Sequence, residues 1–166
     1  MKPAIQPFGD GVVTLRPMEE KDLREILEWR NRDAARVWFK NSDMISMANH
    51  QAWFARYLTT DDDFFFMVEA DGAPVGQCAI YKIDRVGRSA EIGRFLAAPA
   101  QSGKGYIARS CKQLINFGLQ NLGLNYLFLE VFERNARAAE IYRRCGFTEE
   151  GREGDIIRMG LRQAGR

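Results

Sequence analysis

Apolar and polar residues recur along this chain in two rhythms, one of two residues and one of about 3.6. VVTLRP (12–17) carries the first and stops at Pro17, which predicts a strand. EKDLREILEWRN then places Leu23, Ile26, Leu27 and Trp29 beside Arg30 at helical spacing. A second helix is expected over 46–58, with Ser46 as N-cap and Trp53, Phe54 and Tyr57 as its apolar stripe. The stretch between them, DAARVWFKNSDMI, has no clear period. FFFMVEA and PVGQCAIYKI flank Asp71-Gly72, a hairpin signal. SAEIGRFLAA (89–98) reads as a strand closed by Pro99, and a glycine-bearing turn leads into a long helix over about 104–121. Ile107, Cys111, Leu114, Ile115 and Leu122 form its buried face, and Gly123 stops it. NYLFLEVFE (125–133) is apolar on both faces, as in a central strand. NARAAEIYRRC is a short helix ended by Gly146, and IIRMGLR is a last strand.

The resulting order, β-α-α-β-β-β-α-β-α-β with a further short strand at Thr148, predicts an α/β fold. Its sheet should be mixed and mostly antiparallel, of six to seven strands, with about four helices on both faces. The unit 89–132 should join two parallel strands by a right-handed crossover.

Composition narrows the class. With 166 residues, one domain spanning 1–166 is expected. No apolar run reaches the roughly 20 residues that span a bilayer, and MKPAIQPFGDG lacks a basic-then-apolar leader. A formal net charge of +2 supplies no bulk attraction to nucleic acid or an anionic membrane, so neither is expected as partner. Cys78, Cys111 and Cys145 stand too far apart in sequence for a close-spaced metal site and are odd in number, so neither metal nor disulfides are expected. A reduced, cytoplasmic protein is the expectation, with the cysteines as small core residues.

Two segments carry candidate chemistry. Gln101-Ser-Gly-Lys-Gly-Tyr-Ile lies where a strand passes into a helix, and Gly103 and Gly105 permit close backbone approach. Free N–H groups of the first helical turn suit a phosphate or pyrophosphate, although a plain tight turn explains the glycines equally well. Asn135 is an N-cap residue, and Tyr142 follows two turns later on the same face. A phenol, with a pKa of about 10, suits protonation of a departing thiolate, whose thiol pKa is about 8.5; a core tyrosine is the ordinary alternative.

Together these segments resemble the GNAT superfamily of N-acetyltransferases. GKGYIARSCKQLINFGL is similar to its acetyl-CoA loop and helix, and NARAAEIYRRCGFTEEG to its N-x-x-A-x-x-x-Y-x-x-x-G-F motif. The family's first loop position is usually Gln or Arg; here it is Ser102. The resemblance implies a single-domain GNAT fold and acetyl transfer from acetyl-CoA, as co-substrate, to an amine by direct attack in a ternary complex. Ser102 would occupy the first loop position. Gly103, Lys104, Gly105 and Tyr106 would offer backbone N–H groups to the CoA pyrophosphate. Phe95 and Leu96 would pair with the pantetheine arm, Asn135 would contact the CoA arm, and Tyr142 would be the acid. Glu91, before the glycine loop, is the best carboxylate for a general base.

EWRNRDAARVWFKNSDMISMANHQAWF further resembles GNATs that acetylate a nucleotide-linked amino-deoxysugar, as in pseudaminic acid biosynthesis. That implies Arg30, Phe39, Lys40 and His50 at the substrate end, with Arg30 forking onto a diphosphate. GKGYI, FGLQNLGLN and GFTEEG are also similar to GNATs acting on N-termini of ribosomal proteins. A non-catalytic acyl-CoA-binding module is the remaining alternative. The oligomeric state is open, a homodimer included.

Overall fold

The computed structural model describes residues 2–163. Eight strands form one sheet in the order β1-β2-β3-β4-β5-β6-β8-β7. They are β1 (Phe8–Gly9), β2 (Thr14–Pro17), β3 (Asp63–Ala70), β4 (Ala73–Asp84), β5 (Ser89–Ala97), β6 (Tyr126–Phe132), β7 (Thr148–Glu153) and β8 (Ile156–Arg162). The helices are α1 (Leu23–Asn31), the single turn α2 (Asp33–Arg36), α3 (Met47–Tyr57), α4 (Tyr106–Asn116) and α5 (Ala136–Arg144). Every pairing is antiparallel except β5 with β6, as the 89–132 unit predicts.

Local chemistry explains the elements. Asp71 (φ 53°) and Gly72 (φ 77°) both take left-handed geometry and turn β3 into β4, the two-residue hairpin loop that strand twist favours. Ser46 Oγ accepts the Asn49 N–H (3.1 Å) at the start of α3, and Asn135 Oδ1 accepts the Ala138 N–H (3.3 Å) at the start of α5. Strand alternation splits the core in two. Phe64, Phe66, Val68, Cys78, Ile80 and Ile92 meet Cys111, Leu114 and Ile115 of α4 on one side. Phe65, Met67 and Ala79 meet Leu23, Ile26, Trp29, Phe54 and Tyr57 on the other.

Three expectations change. The sheet has eight strands because β1 is a two-residue pair and β7 is a full strand. All six β7 residues are exposed, so β7 is held by its ladder to β8 and leaves no apolar rhythm to detect. The five helices among the described residues fit the expected number, but α4 gives way at Phe117–Asn121 to a π-helical turn instead of running on. A Cβ at Gly118 would stand 3.1 Å from Leu127 and 3.2 Å from Ile80, so any other residue would push those side chains back by a few tenths of an ångström. β6 buries one face only; Arg158 lies 4.0 Å from the Phe128 ring centre and Arg162 4.1 Å from that of Tyr126 on the other.

Two polar contacts fasten the α1–α3 layer. Arg16 forks onto buried Asp22 (2.8 Å to each carboxylate oxygen), which also accepts the Glu19 N–H (2.8 Å). His50 Nε2–H donates to the Leu23 carbonyl (3.0 Å) and its ring stacks on Trp53. Burial holds the His50 pKa below its usual value against the pull of that carbonyl. Burial would raise the Asp22 pKa, but the Arg16 fork and the Glu19 N–H outweigh it and hold it low. Both groups are depressed in the folded state, so each contributes stability that is lost on acidification. The first loss should begin below about pH 6.5, from His50, and the second below about pH 4, from Asp22. Urea midpoints measured down the pH scale should fall in these two stages, and His50→Gln should remove the first.

Candidate active site

β5 and β6 pair only through Ser89–Tyr126, Ala90–Leu127 and Glu91–Phe128. Beyond Glu91 the two parallel strands part, and a cleft of about 1020 Å³ opens between them. A bulge in β5 accompanies the fork: Gln77 pairs with Leu96 and Ala79 with Gly93, so β5 carries an extra residue. The bulged residue Arg94 has φ 55°.

At the far end of β5, Ala98–Gly105 turns into α4. Gly103 (φ 83°) and Gly105 (φ 82°) both have the left-handed geometry that glycine tolerates. The first backbone bond of α4 runs from Arg109 N–H to Gly105 O (3.1 Å). The N–H groups of Tyr106, Ile107 and Ala108 therefore have no carbonyl within the helix and face an anion's position with the helix dipole behind them. A Cβ on Gly103 would meet the Arg137 guanidinium at 3.2 Å, which brings a cation to the loop. Backbone donors, helix N-terminus and arginine suit a pyrophosphate.

Tyr142 comes from α5 into the base of the fork, its ring centre 5.5 Å from that of Phe95. Among the described residues no hydrogen bond to its hydroxyl is found. Burial, reinforced by Cys111, Tyr81, Cys145 and Cys78, pushes the phenol pKa far above its ordinary value, so the proton stays on oxygen. On the opposite side of β5, buried Glu91 accepts from Tyr81 Oη (3.2 Å) and pairs with Lys82 Nζ (3.1 Å). Gly93 leaves the space that the Tyr81 hydroxyl occupies.

Of the residues marked by sequence, the cleft brings together Glu91, Phe95 and Leu96 from β5 with Ser102, Gly103, Gly105 and Tyr106 from the loop and α4. Asn135 and Tyr142 from α5 join them, with Phe39 and Lys40 from the stretch between α2 and α3, where Lys40 pairs with Glu130 (2.8 Å). It does not bring in Lys104, Arg30 or His50. Arg30 lies over the Phe39 ring (4.0 Å to its centre) and bonds the Asn41 carbonyl. His50 is committed to Leu23 and Trp53, so its role is to join helices. Sequence reading passed over Arg32, which lines the cleft and, among the described residues, reaches only the Ala97 carbonyl (3.4 Å) and has no carboxylate partner. Its place one residue beyond the W-R-N triplet was the available signal. Among the described residues no group of three or more His, Cys, Asp or Glu could hold a metal ion, and no helix is long and apolar enough to cross a membrane.

Residues 13–148 match the family described as Acetyltransferase (GNAT) domain, and the chain belongs to that family. It is an acetyl-CoA-dependent N-acetyltransferase. The chain is 31% identical over 140 residues to spermidine N(1)-acetyltransferase of Escherichia coli K12, covering 84% of this chain and 74% of that protein. It is 28% identical over 155 residues to the ribosomal N-acetyltransferase-like protein YdaF of Bacillus subtilis, covering 86% and 81%. Among solved structures, spermidine N-acetyltransferase of Vibrio cholerae in complex with CoA and spermine superposes with a TM-score of 0.86 at 26% identity, covering 93% and 98%. The same Vibrio enzyme has also been solved as a dodecamer (TM-score 0.80). These relatives act on polyamines or resemble ribosomal-protein acetyltransferases, which redirects the expectation of a nucleotide-linked amino sugar. The physical reason agrees: Arg30 and His50, on which that expectation leaned, do not line the cleft, and His50 is committed to the Leu23 carbonyl.

Proposed function

We propose that the protein acetylates a primary amine of a small molecule by direct attack on bound acetyl-CoA, with Tyr142 as acid and Glu91 as base. The observation that carries this reading is the fork, where an unpartnered phenol and a buried carboxylate stand on opposite sides of one parted strand pair. Acetyl-CoA supplies the activated acyl group. The chain's residues hold its pyrophosphate at Gly103–Tyr106, align its arm along Phe95 and Leu96, and return a proton to the leaving sulfur. A thiolate forming in the same dry pocket is itself made more basic by burial, so a high-pKa phenol can still give up its proton to it. Glu91 takes the proton lost by the amine.

Polyamines are the first acceptors to test. Two carboxylates line the cleft, Glu91 of β5 and Glu130 of β6; their cationic partners are the exposed lysines Lys82 and Lys40, which a substrate's ammonium groups could displace. Arg32 favours a second reading, an amine that also bears a carboxylate or phosphate, because its guanidinium lacks an anionic partner among the described residues. A nucleotide-linked amino sugar is one such compound.

Free-thiol release should be measured with spermidine, spermine, a UDP-linked 4-amino-4,6-dideoxysugar and N-terminal peptides. Spermidine is expected to give the highest kcat/KM. Turnover confined to the anionic amines, lost in Arg32→Ala, would establish the second reading. Sedimentation of the same sample decides between a dimer and a larger ring.

A further inference from the structure

We infer that Gln77 is a positioning residue for the acetyl group: by holding the Arg94 carbonyl, it turns the Phe95 N–H into the fork as a donor to the thioester oxygen. The inference rests on the acetyl-transfer reading and adds to it a residue that touches neither substrate.

Gln77 is buried in β4, 3% exposed, on the sheet face that packs against α1 and α3. Its Nε2 donates to the Arg94 carbonyl at 3.0 Å, whereas its Oε1 is buried with no partner among the described residues. A buried amide with one half unsatisfied costs stability, which offsets what its bond to the Arg94 carbonyl contributes. Net stability therefore gives little return for a glutamine here.

A return lies in the bulge. Arg94 is a non-glycine residue at φ 55°, a conformation that persists only when its surroundings enforce it. Its guanidinium forks onto Asp63 (2.8 and 3.1 Å) and lies 4.2 Å from the centre of the Tyr81 ring, which fixes the side chain. Gln77 fixes the main chain. In a planar trans peptide the N–H points opposite to the C=O. With the Arg94 carbonyl drawn toward Gln77 on β4, the Phe95 N–H of the same peptide points away from β4, toward the side where β6 has parted. Arg94 and Phe95 both line the cleft at that place. An N–H held there before substrate arrives stabilises the oxygen as negative charge develops on it.

Isotope-edited infrared spectroscopy of carbonyl-labelled acetyl-CoA on the whole protein reads this hydrogen bond without an acceptor. On the wild type the bound thioester carbonyl band should lie below that of free acetyl-CoA. In Gln77→Met most of that displacement should vanish, while CoA affinity by calorimetry stays within about twofold and the melting temperature falls by only about a few degrees. Turnover should drop about tenfold or more. Gln77→Leu, which also lacks the donor, repeats the measurement if the methionine variant does not fold. A band equally displaced in wild type and variant overturns this inference alone. A wild-type protein that binds no acetyl-CoA overturns both it and the acetyl-transfer reading.

Discussion

Tyr142→Phe is expected to lower kcat about a hundredfold while leaving acetyl-CoA affinity within about twofold. The substitution removes one oxygen and keeps the ring, which packs beside Phe95 and Phe147. Because no hydrogen bond to the hydroxyl is found among the described residues, its loss orphans no buried group, and stability should hold or rise slightly. The cost falls on the thiolate, which must then leave unprotonated or take its proton from water. Steady-state release of free thiol at saturating acetyl-CoA, set beside calorimetry with the same ligand, separates the two quantities. An unchanged kcat would show that the proton comes from elsewhere and would return Tyr142 to the core.

Where the sequence was informative, local rules act over a few residues. Ser46 and Asn135 cap α3 and α5 through the backbone contacts their side chains can reach, and Asp71-Gly72 makes the hairpin its backbone freedom allows. The stripe of α4 and the glycines before it follow from the same short-range logic. The fork does not. Ser89–Ala97 and Tyr126–Phe132 each read as a strand along their whole length, and nothing local states that pairing ends after Glu91. The bulge at Arg94 is equally silent, because the extra residue is defined only against the register of β4. His50 fails for a related reason. A single histidine on a helix looks available for chemistry until another helix brings a carbonyl to it, and that carbonyl belongs to Leu23, 27 residues earlier. Arg32 was missed because a cation at the extended junction between two helices looks solvated until the end of β5 arrives beside it.

The glycine loop should show the opposite kinetic signature. Gly105→Val is expected to raise the KM for acetyl-CoA about tenfold, with kcat at saturation nearly unchanged. A Cβ at Gly105 meets nothing within 4 Å, so that atom brings no clash with the protein itself. The effect comes from the backbone: at φ 82° a β-branched residue is strained by about 1–2 kcal/mol, equivalent to roughly five- to thirtyfold in an equilibrium. In the free protein the loop can relieve that strain by returning to negative φ, which turns the N–H groups at the start of α4 away from the anion site. Binding must then restore the strained geometry, and affinity falls by the difference. Once the pyrophosphate is seated, the fork, Tyr142 and the Phe95 N–H are unaltered, so the chemical step should proceed at its former rate. A matched fall in kcat would mean that the loop also sets the position of the thioester. An unchanged KM would remove these N–H groups from pyrophosphate binding and leave Gly105 as a turn residue alone.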